Sequence, residues 1–207
     1  MAHRWRTPSI AVPRTVTRSA PPSVGLPDPA SLGIPWASAG QWSAAHKALA
    51  FVKCRQEDRL RPVSHSATAT GVAIRAFHDL AAELALSSCR FCPAPCCAAA
   101  APWYDFTDLL MIHFGGMPTP PGQPIIDYGD RCRYLGPAGC RLPRPQRPWI
   151  CAWYTCPVQR AALSRIPATA REYANLAAQI QRRRRQLEQS FIEITAGRAM
   201  APPELFL

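Results

Sequence analysis

The sequence predicts a mainly α-helical protein, three to four helices around an irregular, loop-rich metal-binding cysteine core, with at most short strands. Three observations predict it. Several stretches repeat apolar residues at three- and four-residue steps, the spacing of a helix face. Proline, at 23 residues, concentrates in residues 1–40, in 93–148 and near the last residues, which marks those regions as loop and turn. Eight of the nine cysteines fall in two blocks between residues 89 and 156.

Residues 1–40 read as a disordered Pro/Arg-rich tail. Their opening, "MAHRWRTPSIAVPRTVTRSAPPSVG", has no apolar stretch of a secretory signal. It is Arg-rich and Ser/Thr-rich, as a transit peptide is, but its prolines break a presequence helix. One cysteine-cluster domain, residues 41–198, is expected to follow, with a metal region at 87–157 and a tail at 199–207. No run of about 18 apolar residues occurs, so no membrane-spanning helix is expected. The expected location is the cytoplasm, without a membrane partner.

Within the domain, "WSAAHKALAFVKCRQEDRL" sets Trp42, Ala45, Leu49 and Val52 on one helical stripe. Cys54 lies in this helix, apart from the other cysteines, and is expected to be a small buried hydrophobe. After the polar break "HSATATG", a second helix is expected from Gly71 to Leu86, with Ile74, Phe77, Ala81 and Leu84 inward. "YDFTDLLMIHFGG" predicts a short helix, capped by Asp105 or Thr107 and ended by Gly115 and Gly116. "IIDYG" suggests one brief strand. An amphipathic, basic helix should span 167–196, opened by Pro167 and a Thr169–Glu172 capping box and stopped at Gly197. Its arginines, Arg182 to Arg185, wrap nearly a full turn. Solvation of the whole run is the favoured expectation; the sharper one has Arg183 or Arg184 facing an anionic cluster or an acidic partner.

The net charge of +11 is uneven, because residues 131–198 hold thirteen arginines against three acids. Such a balance attracts nucleic acid or acidic partners. Arg outnumbers Lys by 22 to 2 beside abundant Ala and Pro, a GC-rich coding signature that weakens that inference.

The cysteine pattern is Cys89-x2-Cys92-x3-Cys96-Cys97, then Cys132-x7-Cys140-x10-Cys151-x4-Cys156. Disulfides suit exported domains with small cores, and the odd total counts against them. A redox pair needs only two cysteines, placed between a strand and a helix. Metal accounts for the pattern best, since a C-x-x-C step brings two sulfurs to one centre and distant segments complete it. Adjacent Cys96 and Cys97 point to opposite sides of an extended backbone. They therefore suit a bridge between two metal positions, or one ligand beside a supporting thiol. Eight thiolates divide evenly into two four-sulfur Zn2+ sites. Against zinc, Cys92-Pro93 and Cys156-Pro157 echo the Cys-Pro step of bacterial ferredoxins. Phe91, Trp103, Tyr104, Trp149, Trp153 and Tyr154 can also shield a cluster from water. An iron–sulfur cluster of the 4Fe–4S type is the favoured expectation, with zinc the alternative.

The segments "CRFCPAPCC", "CRYLGPAGCRL" and "RPWICAWYTC" together resemble the YkgJ-type CxxCxxCC cysteine-cluster family, a zinc- or iron-chelating domain with eight cysteines. Leu135, Gly139 and Arg147-Pro148, three residues before Cys151, fit that family's pattern. Three residues separate Cys92 from Cys96 where the family has two, which leaves Cys96 and Cys97 as alternative ligands. The likeness covers about residues 87–157. It implies a metal held by Cys89, Cys92, Cys96, Cys97, Cys132, Cys140, Cys151 and Cys156.

Flagellin lysine N-methylases carry a similar block, so one alternative function is an accessory or catalytic part of a protein-modifying enzyme. The glycine-rich turn of a doubly wound methyltransferase is missing, as is the C-x3-C-x2-C triplet of radical enzymes. Asp105, Asp108, Asp127 and Asp130 are expected to cap and turn rather than catalyse, and His113 to be an ordinary surface or core residue. The main expectation is a metal-binding protein with a structural, electron-transfer or redox-sensing role, whose partners include a protein. A basic, metal-stapled nucleic-acid-binding protein is the remaining alternative.

Overall fold

The computed structural model describes residues 33–88, 92, 95, 98, 100–137 and 139–197. These belong to one compact unit that begins at Gly33. Among the described residues there are six α-helices: α1 (Ala39–Arg55), α2 (Arg61–Ser88), α3 (Phe106–Gly115), α4 (Trp149–Trp153), α5 (Pro157–Ser164) and α6 (Pro167–Thr195). The mainly helical expectation is met, with two short helices beyond the expected number. The strands β1 (Leu135–Gly136) and β2 (Gly139–Cys140) pair antiparallel, Leu135 opposite Cys140.

Helix α2 is the spine. Its buried residues, Val63, Ala67, Thr70, Ile74, Phe77 and Ala81, recur at three- and four-residue steps and face α3, α5 and α6. The "HSATATG" stretch is therefore helix rather than a break. Small Ala67 and Thr70 supply its inner face, and the Thr70 hydroxyl donates back to the Ser66 carbonyl at 2.8 Å. Leu109, Leu110, Met111 and Phe114 of α3 and Ile180, Leu187 and Phe191 of α6 complete the core. Helices α2 and α3 meet closely where a Cβ on Gly115 would lie 3.2 Å from the Ala67 carbonyl oxygen. Asp105 caps α3 in a reciprocal box with Asp108, and Gly116, at φ +68°, closes it in the left-handed region that favours glycine.

Several expectations are corrected. Residues 34–37 join the domain: Ile34 is buried, Trp36 and Ala37 are half-buried, and the Gln123 carboxamide donates to the Pro35 carbonyl at 2.8 Å. No strand forms at 125–129, because Asp130 gathers the Ile126 and Asp127 N–H groups (3.3 and 2.9 Å) into a turn. Ile166, not Thr169, is the N-cap of α6, and no side-chain cap forms there. Cys54 is exposed, off the stripe that Trp42, Leu49 and Val52 form on α1. Among the described residues no helix is long and apolar enough to cross a membrane.

Helix α1 is clamped to α3 by a histidine pair, with His46 Nδ1 and His113 Nε2 2.8 Å apart. Lys53 Nζ donates to the His113 carbonyl at 2.6 Å. Burial lowers the pKa of His46. Burial and the neighbouring His46 and Lys53 bring His113 to about 4, and burial and then Arg144 and Arg147 bring His78 to about 4. An unfolded histidine takes its proton near pH 6.5, well before these native ones do. The stability they permit is whole above about pH 6.5 and is lost as pH falls toward about 4. Urea midpoints measured from about pH 7.5 down to about 5 should fall, and an H78N/H113N variant should fall less steeply. A flat wild-type profile contradicts this.

Candidate metal centre

The second cysteine block is carried by three kinds of backbone. Cys132 precedes the hairpin, Cys140 ends β2, and Cys151 lies inside α4. A small core of Ile34, Ile125, Cys132, Tyr134 and Leu142 anchors the hairpin. Its Tyr134 hydroxyl donates to the Gly122 carbonyl at 2.9 Å, and the Arg133 N–H donates to the Pro124 carbonyl at 2.9 Å.

Helix α4 is fixed by a buried ionic network. Arg184, only 2% exposed, donates to Asp108 Oδ1 at 2.7 Å and to both Asp105 oxygens at 2.7 and 2.8 Å. The same Asp108 oxygen accepts the Trp149 N–H at 3.2 Å, at the first residue of α4. Burial pushes the Asp108 carboxyl up, and the Arg184 guanidinium pulls it back. The Trp149 indole donates to Gln181 Oε1 (2.8 Å), and the Tyr173 hydroxyl to the Trp153 carbonyl (3.0 Å), so both ends of α4 are tied to α6. The expectation that the whole 182–185 run is solvated fails at Arg184. The spacing Tyr173, Ile180, Arg184, Leu187, Phe191 sets this arginine on the apolar stripe, where it needs a buried anion.

Three cysteines of the second block, Cys132, Cys140 and Cys151, line one cavity of about 320 Å3. Arg144, Arg147, Gln159 and Tyr173 share its wall, as do Leu84 near the end of α2 and Ala100 to Pro102. These last two segments flank the first cysteine block in the chain. Cys132 is buried and Cys140 half-buried, while Cys151 is exposed. Burial pushes the Cys132 thiol up. Cys156 does not line the cavity. It is the N-cap residue of α5, where its N–H donates to Gln159 Oε1 at 3.2 Å. Cys92 is exposed and also lies off the lining. Cys89, Cys96 and Cys97, with the bridge expected of the adjacent pair, lie outside the described residues.

The donor set is soft thiol sulfur, the chemistry that zinc and iron–sulfur clusters take. The six described cysteines form no disulfide. Among the described residues no three His, Cys, Asp or Glu side chains gather closely enough to hold one ion. Sequence reasoning missed Gln159 and Tyr173 on the wall and the Asp108–Trp149 link. The first two carry no motif, and the link joins residues 41 positions apart.

No family model, curated protein or solved structure matches the chain.

Removing the Arg184 cation strands Asp108 in the core. Arg184→Met should lower unfolding free energy by about 3–5 kcal/mol in urea titration. Adding D105N and D108N should recover part of that loss. A loss below about 1 kcal/mol contradicts the role given to the network.

Proposed function

We propose that this chain is a metal-binding protein whose cysteines hold an iron–sulfur cluster, with zinc as the alternative, in a structural, electron-transfer or redox-sensing role. The observation that carries this reading is the sulfur-lined cavity: Cys132, Cys140 and Cys151 converge on one volume from separate stretches of chain. The described segments that flank the other block support it. Leu84 and Ala100 both lie on the cavity wall, and Cys89 and Cys97 are five and three residues from them along the chain. On this reading Cys89, Cys92, Cys96 or Cys97, and Cys156 complete the ligand set, consistent with the resemblance to the YkgJ-type family.

An iron–sulfur cluster supplies a reversible one-electron couple, tuned by surrounding charge and burial. This chain's own part is to gather the thiols, which give up their protons on binding, and to surround them with the Leu84, Leu135, Ile150, Tyr154 and Tyr173 side chains of the wall. Elemental analysis of protein purified without oxygen should find iron with acid-labile sulfide, and a paramagnetic signal after reduction. Zinc at whole-number stoichiometry supports the alternative. Cys140→Ala and Cys151→Ala should lose the metal, and Cys54→Ala should keep it. Wild-type protein with only trace metal overturns the reading.

A further inference from the structure

We infer that Arg144 and Arg147 are the charge-compensating wall of this cavity, whose guanidinium groups balance the negative charge of the metal-bound thiolates. The inference rests on the metal-binding reading above. Thiols bind metal only as thiolates. Four thiolates around Zn2+, or around a cluster core of charge 2+, leave a net charge of −2. Ala81, Leu84, Ile150 and Ala152 give the cavity much of its wall, and a charge of that size beside apolar surface is costly unless cations stand close. Among the described lining residues, the charged ones are Arg144 and Arg147.

Both arginines sit on a constrained backbone. Arg144 begins a 3-10 turn, Arg144–Gln146, between Pro143 and Pro148, and Pro145 lies within it. Arg147 is aimed by its Nε, which donates to the Leu142 carbonyl at 3.0 Å. The two guanidinium groups also bear on buried His78 of α2, where after burial they are the largest influences lowering its pKa. Arginine stays charged at every pH at which the protein folds, so this positive wall exists before any metal arrives. The sequence agrees, because residues 131–171 hold eight arginines and no Asp or Glu.

The test compares three double variants of the full chain. R144Q/R147Q removes both charges. R144K/R147K keeps them. R160Q/R165Q makes the same change in net charge at two exposed arginines, one in α5 and one at its C-cap, neither of which lines the cavity. Metal release to a chromogenic chelator is followed, with melting of the metal-free proteins as the folding control. R144Q/R147Q should release metal about 10–100-fold more readily. The lysine pair should stay within about threefold of wild type, and the α5 pair should match it. If the metal is iron, the reduction midpoint of R144Q/R147Q should also move lower, since an added electron is less well compensated. Where the double glutamine variant does not fold without metal, R144Q and R147Q are measured singly against the same expectation.

Equal retention by R144Q/R147Q and wild type overturns the inference while leaving the metal-binding reading intact. So does equal loss in the α5 pair, which makes the effect one of bulk charge. A lysine pair as weak as the glutamine pair, with unchanged melting, assigns the arginines to hydrogen bonding and also overturns it. A wild-type chain that holds no metal fails the earlier reading first.

Discussion

The ion pairs of Arg184 with Asp105 and Asp108 hold together the parts of this molecule that matter for its site. A guanidinium in the middle of a helix bundle is costly to desolvate, and its attraction to two carboxylates roughly offsets that cost. Its value lies in register. Asp105 and Asp108 are the capping residues of α3, so the arginine fixes where α3 begins against α6. Asp108 then reaches the first N–H of α4 and sets the placement of Cys151, two residues further on. An apolar residue at 184 can fill the space, but it cannot specify that alignment.

The cavity follows from this arrangement. Helix α4 is five residues long, too short to stand alone, and is held by Asp108 at its start and by Tyr173 at its end. The hairpin bearing Cys140 is two residues a strand and depends on the small core around Ile125 and Tyr134. Neither element is stable by its own hydrogen bonding. Each is positioned by the helical frame, so Cys132, Cys140 and Cys151 line one cavity although their local structures differ. A bound metal would add a further tie among the parts of the domain with the least regular structure.

Much of the frame was legible in the sequence. The stripes of α1, α2 and α6 followed from apolar spacing alone, and Asp105 and Gly116 marked the ends of α3 by their own chemistry. The start of α2 was hidden because Ala67 and Thr70 are small rather than apolar, and their role is to let α3 come close. Arg184 was hidden by its neighbours, since three other arginines in the same turn do reach the surface or its edge. Cys132, Cys140 and Cys151 could be grouped by spacing. Their common cavity, and the arginines on its wall, depend on packing between segments distant in sequence, which spacing does not encode.

X-ray absorption at the iron and zinc edges, on full-length protein purified without oxygen, tests most directly whether these sulfurs meet on a metal. The account predicts a first shell of sulfur alone at about 2.3 Å, with iron–iron scattering beyond it for a cluster. A first shell of nitrogen and oxygen, or no bound metal at either edge, contradicts it.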